Sequence, residues 1–434
     1  MSPEDAQARL GELRASCVAT WEPPDPVAVA SFLRDVADAL QALEPDLSAT
    51  DTLRAAAADV DDPEALFEAG WELVEVDLDA LAVTPLARAL TLQPGNVAIV
   101  NELALALEAA GSPAEAARLY RENAWAVEES ETAQGLYSHF AAMVGDWEAT
   151  HTMALRIDPA GEQGFFRERA LRRVGRANAV HGVARLTDDD VRGWDAVLAG
   201  SVLLCRAPDD LDGMNGRFGA LWEQPGDLVH RLGVLRAVLD RAGRMPTRVV
   251  AGSDRDSQVL GWAIATSFGL PAPVSPAEPT PPGEPSLVVL FDWSTLDEEF
   301  FDRFGADRDA VLFAYTLDWT RRHPLAADLV AMQAEALFAP WAEGMRLDGP
   351  PEAMLDPEPA RRPTVVSVPA DDRDPQQIGV DLAMVPASLA GGADLDELVR
   401  LIDALRAQPG DVGLFGGARD QYFPNGPVTS AKFL

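Results

Sequence analysis

Lysine and cysteine are almost absent from this chain of 434 residues. Lys432 is the single lysine among 35 basic residues, and Cys17 and Cys205 are the only cysteines. Two distant cysteines provide neither a disulfide framework nor a metal site, so we expect no metal held by cysteine and a reducing compartment. The use of arginine in place of lysine, together with abundant alanine, is typical of GC-rich bacterial genomes.

Positive charge is also scarce. The chain has 35 basic residues against 70 acidic ones, which gives a formal charge of −35. A field of this sign opposes binding to nucleic acid phosphates and to anionic membrane surfaces, and it favours basic partners. We therefore expect no binding to DNA or RNA at near-physiological salt and no membrane partner.

Long apolar runs are missing as well. No uninterrupted apolar segment approaches the roughly 18 residues that cross a bilayer. The first residues, Met1–Ala6, have neither the basic start nor the apolar core of a secretory signal. These absences predict a cytoplasmic protein. Because 47% of the residues are hydrophobic, each of the two to three domains that this length suggests can bury a core.

A period of 34 residues organises the N-terminal half. Gly111 and Gly145 are 34 residues apart, and each follows an amphipathic segment. The repeating units are 63–96, 97–130 and 131–164, and their eighth residues are all small: Gly70, Ala104 and Ser138. A period of this length is typical of stacked helix pairs that cannot bury their apolar faces alone. We expect six paired helices in this region, with the eighth residues buried where paired helices touch.

The middle unit carries a family resemblance. Its segment GSPAEAARLY, at residues 111–120, resembles the turn and second helix of tetratricopeptide repeats. Two positions depart from that pattern, since Asp77 stands where a turn glycine is usual and Thr150 where alanine is usual. The resemblance implies a helical solenoid over residues 61–180 that presents a surface to a protein or peptide. The apolar spacing in residues 1–60 predicts further helices before it.

The period ends near residue 165, where five arginines follow within one short segment: Arg167, Arg169, Arg172, Arg173 and Arg176. Our first interpretation is a solvated helix face that caps the solenoid. One alternative is a docking patch for an acidic partner. The other is pairing with the acidic surface of this chain.

From about residue 190 the pattern changes to strands alternating with helices. Continuous β-branched runs divided by helices predict a buried, mostly parallel sheet, and the fold class is therefore α + α/β, with an α/β domain over 190–434. Strands are predicted at 247–252, 286–292, 311–316 and 365–368, and an edge strand at 412–415. Helices are predicted at 228–242, 257–268, 374–384 and 395–407, and after His323-Pro324, whereas 197–205 fits either a strand or a short buried helix. The Pro-rich segments 271–285 and 347–363 are expected to be loops, and 416–434 a loose tail.

The candidate ligand site is the turn after the strand at 247–252, made of Gly252, Ser253, Asp254, Arg255, Asp256 and Ser257. A polar turn between a strand and a helix directs free backbone N–H groups and the helix dipole toward the carboxyl edge of the sheet. A second turn follows the next strand and contributes Asp292, Ser294 and Thr295. The helix after the first turn ends in Gly269-Leu270-Pro271, and this order of elements resembles phosphoribosyltransferase-like domains. The resemblance implies pyrophosphate at the first turn and a ribose phosphate at the second.

The second turn departs from that family. Trp293 occupies the place of a second acid, and no glycine is present. Asp297, Glu298 and Glu299 crowd the next helix start, where carboxylates cap the N–H groups themselves and repel a phosphate. Mg²⁺ held by the aspartates of the two turns would offset this repulsion, so a weak anion or Mg²⁺ site is the expectation.

Three functional hypotheses follow. The favoured one is an intracellular interaction scaffold or adaptor without a cofactor, whose phosphoribosyltransferase-like domain is non-catalytic. The second is an enzyme acting on a phosphorylated small molecule at the two turns, and the third is a nucleotide-binding regulatory domain read out by the solenoid. Nucleophile-elbow, Walker A and Gly-x-Gly-x-x-Gly motifs are absent. His139, His151 and His323 lack metal spacing, so we expect packing, surface or turn roles for them.

Overall fold

A computed structural model gives the fold of this chain. It describes residues 1–16, 25–207, 213–278, 281, 283–296, 298–348, 364–388, 395–408, 415, 419–424, 426–428 and 430. Two compact units divide the chain between Val174 and Gly175. Within the described residues, no helix has both the length and the apolar character needed to cross a membrane.

The first unit is built from helices. They are α1 (Pro3–Ser16), α2 (Pro26–Leu43), α3 (Ala49–Ala58), α4 (Pro63–Glu75), α5 (Asp79–Leu92), α6 (Val97–Ala109), α7 (Pro113–Glu122), α8 (Ala124–Glu129), α9 (Glu131–Met143), α10 (Trp147–Arg156) and α11 (Gly164–Ala179), which runs on into the second unit. The six helices predicted in residues 63–164 are all present, and the short α8 is an addition. Asp62, Asn96, Ser130 and Asp146 each cap a helix start by accepting a backbone N–H bond.

The period is visible in the backbone. Gly111 and Gly145 have φ angles of 79° and 75°, and Asp77, at the equivalent place in the first unit, has a φ of 58°. The departure from glycine at this turn therefore keeps the left-handed conformation, which aspartate tolerates better than most residues. The small eighth residues of the three units, Gly70, Ala104 and Ser138, are all buried, as expected.

Gly70 marks a close approach between α4 and α5. A Cβ atom added at Gly70 would lie 2.6 Å from Cγ of Leu86, a fully buried side chain on α5. The helices therefore touch at a position where no larger residue fits without movement, as the small eighth residue predicts.

We expect Gly70→Ala to lower the free energy of unfolding of the helical unit by about 1–2 kcal/mol, because overpacking exceeds the gain in helix propensity. Gly11→Ala is the matched control, since Gly11 is also inside a helix but has open space around it. That control should be neutral or stabilising by up to ~1 kcal/mol. Urea unfolding followed by circular dichroism measures both, and equal shifts would contradict the contact.

Three of the five arginines of α11 face inward and the other two are half-buried, so the solvated-face interpretation is wrong. Arg169, Arg173 and Arg176 are buried, with exposures of 9%, 1% and 4%. Arg173 lies 2.9 Å from Nδ1 of His139, whose Nε2 lies 3.1 Å from a carboxylate oxygen of Glu108. Buried charges require such partners, and here the chain supplies them itself. His139 thus packs in the core, whereas His151 is exposed.

The second unit contains a six-stranded sheet whose strand pairs are all parallel. Its strands are β1 (Val202–Leu203), β2 (Phe218–Trp222), β3 (Arg248–Ala251), β4 (Ser286–Asp292), β5 (Ala310–Leu317) and β6 (Leu329–Phe338). The spatial order is β1-β6-β5-β4-β3. β2 also pairs with β6, at residues that lie further along β6 than those paired with β1. An antiparallel pair, β7 (Gly344–Asp348) and β8 (Thr364–Val368), is separate from this sheet. The helices are α12 (Val191–Leu198), α13 (Pro225–Ala242), α14 (Arg255–Phe268), α15 (Glu298–Phe304), α16 (Pro375–Ala383) and α17 (Leu395–Arg406).

The α + α/β class and the mostly parallel sheet are confirmed, but one predicted element is wrong and two strands, β2 and β7, were not predicted. The segment after His323-Pro324 is the interior strand β6 rather than a helix, and β7 extends to Asp348, into the segment 347–363 predicted as a loop. Segment 197–205 combines both predicted alternatives, because α12 ends at Leu198 and β1 begins at Val202. The Pro-rich segment at 271–285 is mostly exposed, although Val274 pairs with Val250 beside β3. Residues 349–363 and 412–414 lie outside the described part of the chain.

The described residues of the C-terminal tail are anchored, which contradicts the expectation of a loose segment. Arg419 donates to both carboxylate oxygens of Asp328, at 2.8–3.2 Å. Asp420 accepts from Arg176 at 2.8 Å, and the backbone of Tyr422 pairs with that of His323. Residues 419–422 are therefore part of the core of the second unit, held by buried polar contacts that periodicity does not reveal.

Candidate functional site

The first candidate turn lies where expected, at the carboxyl end of β3. Gly252 follows the strand, and Asp254 is the N-cap of α14, with its side chain accepting from the N–H of Ser257 at 2.8 Å. The Ser253 carbonyl accepts from the Gln258 side chain at 3.1 Å. A Cβ on Gly252 would lie 2.5 Å from the terminal methyl Cδ2 of Leu290, so a larger residue here would require the Leu290 side chain on β4 to move. The turn is thus closed by its own side chains.

Two of the three charged side chains of this turn, Arg255 and Asp256, bind groups elsewhere in the same unit. The Arg255 guanidinium donates to the backbone carbonyls of Asp371 and Arg373. The carboxylate of Asp256 accepts from the indole N–H of Trp341 at 2.6 Å. Arg255 therefore does not point a free cation into the turn, and a buried aromatic ring lies against Asp256.

The second candidate turn has the same self-contained character. Asp292 ends β4, and one of its carboxylate oxygens accepts from the backbone N–H of Ser294 at 2.9 Å and from its hydroxyl at 2.7 Å. The hydroxyl of Thr295 donates to the Asp292 carbonyl at 2.8 Å. Trp293 is fully buried, and its indole N–H donates to the carbonyl of Leu325 at 2.7 Å. Asp297 lies outside the described residues.

The structure brings the two turns to one edge of the sheet. β3 and β4 are neighbouring parallel strands, and the hydroxyl of Ser257 accepts from the N–H of Phe291 at 2.9 Å. The start of α14 is thereby bonded to the end of β4. Sequence reasoning located this juxtaposition correctly, because the carboxyl ends of parallel strands share an edge.

An aromatic cluster that the sequence analysis missed covers this edge. Trp341 follows β6, yet its ring lies 5.3 Å from that of Phe291 on β4, and Phe291 stacks on Tyr315 of β5 at 5.2 Å. All three side chains are buried. Since β5 lies between β6 and β4, Trp341 reaches across the carboxyl edge to the first turn. No local sequence pattern predicts the contact between Trp341 and Asp256, because these residues are 85 positions apart.

The sequence analysis also missed a buried polar chain beside β6. Asp195 accepts from the Gln333 side chain at 2.6 Å, and Gln333 accepts from Arg217 at 2.9 Å. Arg217 donates to the Val428 carbonyl at 2.7 Å and lies over the ring of Trp319. Burial raises the pKa of Asp195 to about 7, and Arg217 opposes that shift. A glutamine within the apolar run of β6 is the one sequence signal that pointed to this chain of contacts.

Titratable groups elsewhere in the second unit serve structural contacts. The Tyr315 hydroxyl donates to the buried carboxylate of Glu223 at 2.9 Å, and burial raises the pKa of Glu223. The Nε2 nitrogen of His323 donates to the Asp318 carbonyl at 2.8 Å, and burial lowers the pKa of this imidazole. Within the residues that the structure describes, no three His, Cys, Asp or Glu side chains form a metal-binding group.

Comparisons of this chain with protein-family models, with curated proteins and with solved structures find no match.

Proposed function

We propose that this protein is an intracellular interaction scaffold or adaptor. In this proposal a tetratricopeptide-like helical array binds a protein or peptide, and an α/β unit of phosphoribosyltransferase-like shape does no catalysis. One observation carries the proposal: both turns that would hold a phosphorylated ligand are closed by their own side chains, with Asp254 on the Ser257 N–H and Asp292 on the Ser294 N–H.

An incoming phosphate would have to displace these contacts. The N–H groups at a helix start are its usual ligands, but in each turn a carboxylate already accepts from one of them and repels a second anion. Arg255, the nearest cation in the turn, is held by two backbone carbonyls. The indole N–H of Trp341 donates to the adjacent carboxylate of Asp256. These features support a structural role for the edge that would otherwise be the active site.

The composition supports the rest of the proposal. A formal charge of −35 favours basic partners and opposes nucleic acid. Cys205 is a buried free cysteine, which is consistent with a reducing bacterial cytosol. The helical unit supplies an extended surface, as stacked helix pairs do.

Calorimetric titration of the whole chain with phosphoribosyl pyrophosphate, with and without Mg²⁺, tests the non-catalytic part. We expect no binding without Mg²⁺ and at most weak binding with it, because the aspartates need a cation before they tolerate a phosphate. Tight binding that disappears in both Ser253→Ala and Asp292→Asn would overturn the proposal and favour an enzyme or a nucleotide-binding regulator. A Ser275→Ala variant, in the exposed Pro-rich loop, is the control.

A further inference from the structure

One helix of the first unit leaves an unusual face uncovered. α4 buries Leu66, Ala69, Gly70 and Leu73 against its neighbours. On its opposite side Trp71 is 47% exposed, the carboxylates of Glu64, Glu68 and Glu75 are exposed, and Phe67 and Val74 are half-buried. These positions follow the i, i+3, i+4, i+7, i+10, i+11 spacing of one helix stripe. We call this set of six residues the α4 stripe.

The α4 stripe is unpartnered in both its apolar and its charged parts. In the described part of the chain, no cation pairs with Glu64, Glu68 or Glu75, and no aromatic or cationic side chain lies on the ring of Trp71. Nearby Arg88 is already bound to Asp61. A large indole left in water among unpaired carboxylates is an arrangement that a complementary surface would stabilise, since tryptophan anchors are enriched at interface centres.

Charge decides what kind of partner fits. Residues 1–174 hold 31 acidic and 12 basic residues, a formal charge of −19. An acidic or neutral segment would bring no counter-charge to the stripe. A guanidinium binds both the apolar and the charged part of the α4 stripe, because it stacks on an indole face and donates to carboxylates at the same time.

We infer that the α4 stripe is a docking surface for an arginine-containing basic segment of a partner protein, with Trp71 as its anchor and Glu64, Glu68 and Glu75 as its charge partners. This inference builds on the proposed interaction function and adds the chemistry of the partner to it. Association is steered by charge and weakens with ionic strength, whereas the Trp71 contact sets the preference for arginine over lysine.

The test uses the full chain and a fluorescent arginine-rich peptide, with a second peptide that carries citrulline at each arginine position. Fluorescence polarisation measures Kd for the native chain and for two double variants. Glu64→Gln/Trp71→Ala removes a first-turn carboxylate and an exposed apolar side chain seven residues later on α4. Glu148→Gln/Leu155→Ala removes the same two kinds of group with the same spacing on α10, where Leu155 is 52% exposed.

We expect the arginine peptide to bind the native chain and the citrulline peptide not to bind. The α4 variant should raise Kd about tenfold or more, and the α10 variant by less than about twofold. Equal weakening in the two variants, or no binding of the arginine peptide to the native chain, overturns the inference. The phosphoribosyl pyrophosphate titration is independent of this result, so failure of the stripe and failure of the proposed function are distinguishable.

Discussion

Replacing Arg419 by methionine is expected to destabilise the α/β unit by about 3–5 kcal/mol. The guanidinium is 6% exposed and donates to both oxygens of Asp328, which is 7% exposed. It also donates to four backbone carbonyls around α15 and the start of β5, those of Phe304, Gly305, Asp307 and Ala310. Methionine fills part of the volume but leaves a buried carboxylate whose remaining donor is the N–H of Leu312.

Arg373→Met is the matched control. Arg373 also binds a carboxylate, that of Asp371, at 2.8 Å, but it is 51% exposed, so water replaces its contacts and the loss should be far smaller. Urea unfolding, with hydrogen exchange of the β5 and β6 amides, measures both variants. Adding Asp328→Asn to Arg419→Met should recover part of the loss, because the unpaired charge is then gone. Equal losses in Arg419→Met and Arg373→Met would show that Arg419 does not anchor the tail.

The second large effect is expected at acidic pH in the helical unit. Burial lowers the pKa of His139 from 6.5 to about 3, and the neighbouring Arg169 and Arg173 add to this shift while Glu108 opposes it. The contacts explain the neutral form: Nε2–H donates to Glu108, and the lone pair of Nδ1 accepts from Arg173. A proton on Nδ1 would face the arginine N–H directly.

The direction of the pH effect on stability follows from proton binding to His139. Between pH 6.5 and 3 the unfolded chain binds a proton at His139 that the folded chain does not, so this contribution to stability is complete above pH 6.5 and is lost as the pH falls. The loss is about 1.4 kcal/mol per pH unit, or about 2 kcal/mol by pH 5. His139→Gln removes this term, so the difference in unfolding free energy between native chain and variant should shrink by about 2 kcal/mol from pH 7 to pH 5.

Chemical denaturation at a series of pH values measures this difference. His151→Gln is the control, because His151 lies on the surface of α10 and touches none of these groups. A constant difference between the native chain and His139→Gln over that pH range would contradict the buried neutral imidazole.

Local signals predicted most of the elements near the candidate site. The strands β3, β4 and β5 and the helix α14 lie within a few residues of their predicted bounds, since β-branched runs and a Gly-Leu-Pro stop are short-range signals. The turns at Gly252 and Asp292 were placed at one edge by the rule for parallel strands. The contact of Trp341 with Asp256 in the first turn was not predictable, because Trp341 follows a third strand, β6.

The sequence by itself predicted the six helices of residues 63–164, because small eighth residues and the turn residues Asp77, Gly111 and Gly145 recur at a fixed spacing. All three turn residues have the left-handed backbone conformation. Only the tertiary structure decided the state of Leu329–Phe338. This segment is rich in helix-favouring residues, but it forms β6 because it lies between β5 and the β1 and β2 edge. Tertiary structure likewise decided that the side chains of Arg173, Arg176 and Arg419 are buried. Their partners, His139, Asp420 and Asp328, come from distant parts of the chain, and only folding brings these groups together.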